Sequence, residues 1–237
     1  MSTKDTAFVI GTGPSLKDID VSLLKDHTTI TFNRAYVAFE DWGFDPTYYL
    51  AIDGNDMRSM YKDINNLIVN SKIQQFFFAK INDNEIHPED SFQDGDRCSS
   101  KDMFIDSPKV EYFSPIRIVT NAGWMGIEVL ASLGYKNIAF VGCDCRYKDD
   151  QESNKDITIV GSEYKSHADT DINHFRPDYF GKGISFGKPN ENEILQIWKS
   201  GANKMKDRNI NLISCTKNSK ANEWYEYIPF EQYIKNI

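Results

Sequence analysis

No apolar run in the 237 residues is long enough to cross a bilayer. Cysteine is scarce: four residues do not make a disulfide scaffold, and a reducing cytoplasm is the expected compartment. Cys143 and Cys145 form a C-x-C pair, with Cys98 and Cys215 far off in sequence. A zinc site wants four convergent ligands, usually with C-x-x-C spacing, and His27, His87, His167 and His174 supply no partner set, so free structural thiols are expected. Positive charge is also short. Thirty-five acids against 27 Lys plus Arg leave a formal charge of −8, which argues against nonspecific binding to nucleic acid or anionic lipid. Met1 to Thr6 is polar and only Ala7 to Ile10 follow as an apolar run, so no secretory signal is expected. No repeat, low-complexity tract or linker is visible.

What is present is the balance of a soluble globular protein, 40% apolar and 26% charged. Short, continuous apolar runs recur at Ala7–Ile10, Thr28–Phe32, Tyr48–Ile52, Gln74–Ala79, Val110–Phe113, Asn137–Val141 and Ile210–Ser214. Such runs suit strands covered on both faces, as in a parallel sheet. Helical patterns lie between them. Asn121 to Leu133 sets Trp124, Ile127, Leu130 and Ala131 on one stripe before Gly134, and Glu191 to Lys206 sets Ile194, Ile197, Trp198 and Met205 on another after Pro189-Asn190. The order predicts an α/β fold with a Rossmann-like, mostly parallel sheet and helices on both faces. Two stretches break the rhythm: Ile81 to Lys109, and Tyr147 to Lys188 with its brief apolar run at Ile157–Val160. The expected organisation is one domain over residues 1–237 with a lid-like insertion at about 147–188.

Gly11-Thr12-Gly13-Pro14-Ser15-Leu16 directly follows the first strand. Glycines there let backbone approach a phosphate, and a helix beginning near Ser15 would aim its N–H groups at the anion; a tight turn that needs glycine for its angles alone has the same appearance. A dinucleotide fingerprint would have a third glycine where Leu16 stands and an acid after the second strand, where this chain has Asn33 and Arg34. The Lys-Ser/Thr pair of a P-loop is missing too. What remains is a nucleotide or nucleotide-sugar pocket at the carboxyl ends of the strands. Asn33, Asp53, Asp144 and the Thr120-Asn121 pair all fall at such ends, where a parallel sheet brings them to one crevice. Taken singly, each could be a cap or a turn residue.

Gly13-Pro14-Ser15-Leu16-Lys17, Phe32-Asn33, and the stretch from Ile118-Val119-Thr120-Asn121 through Leu133-Gly134-Tyr135-Lys136 to Gly142-Cys143-Asp144 resemble the lipooligosaccharide sialyltransferases of glycosyltransferase family 42. The same skeleton, with Asn33-Arg34-Ala35 and the run Asn173 to Gly181, resembles the broader 6-hydroxymethylpterin pyrophosphokinase (MptE)-like group, which includes flagellin-glycosylation proteins. The resemblance implies a CMP-activated sugar donor held without an obligatory metal, with Gly11, Gly13, Pro14, Ser15 and Asn33 on the nucleotide. It implies that Asp53 stands where family 42 has an asparagine near the phosphates. Thr120 and Asn121 match a Thr-Ser pair, and Asp144 closes its motif. Tyr147 lies one residue off a tyrosine that supports the leaving phosphate, with Tyr164 as a second. The family's basic histidine is replaced by Lys188, and His174, fourteen residues earlier, is the nearest imidazole.

Inverting glycosyl transfer needs a base for the acceptor hydroxyl and donors for the departing phosphate, tasks suited to histidine and tyrosine. His174, with Asp171 before it and Arg176 and Tyr179 after it, fits a lid closing over an anion. The rival reaction is pyrophosphoryl transfer from ATP, which would need divalent metal on carboxylates such as Asp53, Asp56, Asp144 and Asp171. A nucleotide-binding protein without catalysis is the third reading. The expected partners are a nucleotide-sugar donor and a glycan or lipid-linked acceptor. The composition is compatible with peripheral membrane association through such an acceptor and with a homo-oligomer.

Overall fold

In the computed structural model, which describes residues 6–80, 99–114, 121–147, 157–160, 163–167, 170–187 and 189–237, the continuous apolar runs form strands close to the expected bounds. They are β1 (Thr6–Ile10), β2 (Thr28–Phe32), β3 (Tyr48–Ala51), β4 (Gln75–Ala79), β5 (Val110–Phe113) and β6 (Asn137–Val141). The insertion contributes β7 (Ile157–Val160), β8 (Glu163–Ser166) and β9 (Ser185–Gly187), a separate antiparallel sheet. β10 (Asn211–Ser214) and β11 (Glu226–Tyr227) complete the set. The main sheet has eight strands in the order β11-β10-β6-β1-β2-β3-β4-β5, every neighbouring pair parallel.

Among the described residues six α-helices accompany them: α1 (Phe39–Trp42), α2 (Gly54–Asn70), α3 (Ser100–Met103), α4 (Ala122–Ser132), α5 (Glu191–Asp207) and α6 (Phe230–Lys235). Alternation along the strands assigns the two faces. Phe8 and Ile10 join Met57, Met60 and Ile64 of α2 and Phe230 of α6 in one buried cluster. Ala7 and Val9 face the other way, onto Ile127 and Leu130 of α4 and Trp198 of α5. The sheet is thus covered on both sides, the Rossmann-like α/β arrangement read from the sequence. α4 has no solvent stripe of ordinary width: nine of its residues are buried, in the cluster that also holds Trp198 of α5. The Trp124 ring of α4 packs onto Gly201 of α5, where a Cβ would stand 2.1 Å from it.

Local chemistry sets the helix ends. Asn121 accepts the Trp124 N–H at 2.9 Å to start α4, and Asn190 accepts the Glu193 N–H to start α5. Gly134, after α4, has φ +98°, a conformation open to glycine and costly for other residues. No helix among the described residues is long and apolar enough to cross a membrane.

The feature that positions a site is the strand order. From β1 the chain runs outward through β2, β3, β4 and β5, then returns to place β6 on the other side of β1. Ligands of open α/β sheets bind at the carboxyl ends where the order reverses in this way. Here that point lies between β1 and β6, so the glycine turn after Ile10 meets the loop after Val141.

Candidate active site

The two loops are fastened backbone to backbone. Gly11 N–H donates to Val141 O and Gly13 N–H to Gly142 O, both at 2.8 Å. A Cβ on Gly11 would lie 2.4 Å from Gly142 O, and one on Gly13 would lie 2.0 Å from Asp144 Oδ2. The turn therefore needs glycine for close approach to the β6 loop, a reason independent of any phosphate. Beyond Gly13 the chain enters a short 3-10 helix, Pro14–Asp18, with Pro14 at its first turn. The groups that a phosphate would use are engaged by a side chain: Ser15 donates its hydroxyl to Asp144 Oδ2 at 2.8 Å and its N–H to the same oxygen at 3.4 Å. Burial raises the Asp144 pKa, and the Ser15 donors oppose that shift. The β6 loop is anchored on its far side as well. Cys143 N–H donates to Thr216 Oγ1, Ser219 Oγ donates to Cys143 O, and Lys220 N–H donates to Asp144 O.

Over this floor lies the segment 171–180 of the insertion. Phe175 N–H donates to Thr12 O at 3.0 Å, Arg34 Nε donates to Tyr179 O at 2.7 Å, and Arg176 donates to Val37 O and pairs with Asp41 and Asp178. Tyr179 is buried, its hydroxyl hydrogen-bonded to Thr12 and its pKa pushed up by burial. His174 stacks on this ring, centroids 4.1 Å apart, and meets Phe180 edge-on at 4.8 Å; Phe180 stacks in turn on Phe186 of β9. His174 Nδ1 lies 2.7 Å from Asp171 Oδ2, and Asp171 Oδ1 accepts the Asn173 N–H at 2.8 Å. The side chains of His174 and Asp171 are 13% and 8% exposed, so water competes little for this pair. A carboxylate on Nδ1 favours the proton there and leaves Nε2 as the basic nitrogen of the neutral ring.

Floor and roof border an open cleft with a cavity volume of about 70 Å3, smaller than a fully formed small-molecule site. Of the residues expected at a site, Gly13, Asn121, Asp144, Tyr147 and His174 line it. Gly11, Pro14 and Ser15 build the turn behind it. Asn121 also bonds within the protein, its Oδ1 taking both the Trp124 N–H and Trp198 Nε1–H. Asn33 and Asp53 sit at neighbouring strand ends, outside the lining. Asn33 holds φ +51°, accepts the Tyr49 hydroxyl on its carbonyl and donates Nδ2 to Asp56 at 3.0 Å, while its Oδ1 is buried with no hydrogen-bond partner among the described residues. Asp53 is exposed and accepts the Asp56 N–H at the start of α2. Thr120 and Lys188 lie outside the described residues, as does the side chain of Tyr164. Burial raises the Tyr147 pKa and keeps its phenol protonated.

Sequence reasoning missed Arg146, two residues past Asp144, and Asn173, both of which line the cleft. The signal for Arg146 was its place on the loop at the strand-order reversal. The Arg34 of the Asn33-Arg34 pair holds the roof through Tyr179 O. Cys143, Cys145 and Cys215 are free thiols, with burial pushing Cys145 and Cys215 up to about 12; Cys98 lies outside the described residues. The carboxylates offered for a divalent ion are dispersed, Asp53 on α2, Asp56 on Asn33, Asp144 on Ser15 and Asp171 on His174. Among the described residues no three His, Cys, Asp or Glu are grouped to hold a metal ion.

The family model of the 6-hydroxymethylpterin diphosphokinase MptE-like proteins matches residues 1–150. No curated protein matches the chain by sequence. Among solved structures, the chain is similar to the sialyltransferase CstII from Campylobacter jejuni in complex with CMP-3FNeuAc. The two are 18% identical, with 96% of this chain and 88% of that one covered and a TM-score of 0.53. The same enzyme in complex with cytidine-5'-monophosphate gives 18% identity, 95% and 85% coverage and a TM-score of 0.51. The MAf glycosyltransferase from Magnetospirillum magneticum AMB-1 is 11% identical, with 98% of this chain but 36% of that one covered and a TM-score of 0.50. At these identities the likeness is one of fold.

Proposed function

The chain belongs to the 6-hydroxymethylpterin diphosphokinase MptE-like family, and from that premise we propose that it is a sialyltransferase-like glycosyltransferase, moving a sugar from a CMP-linked donor to a surface-glycan acceptor. The acceptor is a free or lipid-linked glycan, and the reaction belongs to lipopolysaccharide-type assembly in the cytoplasm. One observation carries this reading: a histidine with Nδ1 on a buried carboxylate lines the cleft at the β1/β6 reversal of a CstII-like fold. That pairing supplies a base beside the open cleft.

The proposed step inverts the sugar. An acceptor hydroxyl oxygen bonds to the anomeric carbon as the bond from that carbon to the phosphate oxygen breaks. The hydroxyl proton passes to His174 Nε2, and the electron pair of the broken bond leaves with the nucleoside monophosphate. Tyr147, its phenol kept protonated by burial, donates to the departing phosphate. Asp171 does not touch substrate; it fixes the imidazole tautomer and balances the imidazolium that forms. Replacing it with asparagine, D171N, is expected to lower kcat about 100-fold with little change in donor KM, because the amide presents an N–H or a weaker acceptor to Nδ1. Steady-state kinetics with donor and acceptor varied in turn checks this; equal losses in both KM values would mark a merely structural role.

A second reading, diphosphoryl transfer from ATP to a small hydroxymethyl substrate, is favoured by the family's description. A thermal-shift panel of CMP, CDP, UDP, GDP and ATP, with and without Mg2+, separates the two. CMP without metal should raise Tm by roughly 5 °C or more at about 100 times its Kd. Stabilisation by ATP with Mg2+ alone would replace glycosyl transfer with the second reading. No stabilisation by any nucleotide would remove both.

A further inference from the structure

We propose that Arg146 is the phosphate-binding cation of the cleft and limits the donor to one phosphate; this rests on the glycosyltransferase reading and deepens it. Among the described residues that line the cleft, Arg146 is the one Lys or Arg side chain. Among the described residues, two further donors beside the cleft are committed elsewhere. Ser15 N–H and Oγ–H, which would greet an anion at the glycine turn, are held by Asp144. Lys220 is paired with Glu191, whose second oxygen takes the Tyr147 N–H.

Arg146 is exposed, and the described residues give its guanidinium one hydrogen bond, Nη2 to Asn218 O at 3.3 Å. Its charge also acts on the carboxylates of Asp144 and Glu191, but a guanidinium has five N–H donors, so part of its fork is open to an oxyanion. It sits between Asp144 and Tyr147 on one loop, so a phosphate on Arg146 is also within the reach of the residue proposed to donate to the leaving oxygen. Asp144 and Asp171 already place two carboxylates around the space. One arginine matches the single negative charge of a phosphodiester donor, such as a CMP-sugar. The diphosphate of a UDP- or GDP-sugar would bring more negative charge beside those carboxylates than one guanidinium offsets.

Calorimetric titration of CMP, CDP and cytidine into the full chain and into Arg146→Ala tests the proposal. The wild type should prefer CMP to cytidine by roughly 10- to 100-fold, and the variant should lose most of that preference while binding cytidine as before. Arg146→Lys should recover part of it and steepen the salt dependence, because an ammonium binds phosphate as a point charge. A variant that keeps the wild-type ratio of CMP to cytidine overturns the assignment of Arg146. A wild type that prefers CDP to CMP overturns the single-phosphate limit. If the wild type binds no nucleotide, the glycosyltransferase reading falls, and this inference with it.

Discussion

Replacing His174 with alanine is expected to lower sugar transfer about 1,000-fold while leaving donor affinity within about twofold of the wild type. The split follows from where the imidazole sits. Its Nδ1 is spent on Asp171, one face lies on Tyr179 and the ring meets Phe180 edge-on, which leaves Nε2 for chemistry. Loss of the ring removes the acceptor for the hydroxyl proton and leaves the floor of the cleft, with Gly13, Asp144 and Tyr147, as it was. Single-turnover transfer and donor binding by calorimetry should be measured on the same preparation. Turnover near the wild-type rate would take His174 out of the mechanism; equal loss of donor binding would make it a roof residue only.

Gly11→Ala is expected to cost about 3 kcal/mol or more and to lower Tm by roughly 6 °C or more. The added methyl would meet Gly142 O at 2.4 Å, Gly142 C at 2.7 Å and Cys143 Sγ at 2.8 Å. Two of those atoms are backbone, and Gly142 itself cannot retreat easily. It holds φ +64°, and the chain after it is tied to Thr216, Ser219 and Lys220. The clash must therefore part β1 from β6 at the reversal of strand order. Thermal denaturation monitored by circular dichroism is the check, and an unchanged Tm would show that the two loops yield more readily than their hydrogen bonds imply.

The sheet was legible because each interior strand is a continuous apolar run bounded by polar residues. β11 escaped because two residues, Glu226 and Tyr227, leave no periodicity to see. α2 was passed over for a different reason: its buried Met57, Met60, Ile64 and Ile68 are spaced among Asn, Asp and Lys, and it opens at a glycine. Within Ile81 to Lys109 the short α3 hides in a polar stretch, held by a capping box between Ser99 and Asp102 rather than by apolar spacing. The site was half legible. Strand ends and the glycine turn pointed to the crevice at the β1/β6 reversal, but sequence could not tell a residue that lines it from one that braces it. Ser15, Asn33 and Asp53 turned out to brace other groups. His174 stood out as the nearest imidazole to Lys188, flanked by Asp171, Arg176 and Tyr179, whereas Arg146 looked like any surface cation until the β6 loop brought it to the cleft.

The match to residues 1–150 stops short of His174, so kinship and reactivity are recorded in different parts of the chain. Ancestry can be recognised from the lower storey alone, while the atom proposed to take the proton arrives with the later insertion. Two homologues could share every recognisable signature of the first portion and still perform unlike transformations. Sorting such relatives by chemistry requires comparing the stretch equivalent to 171–180 before any other.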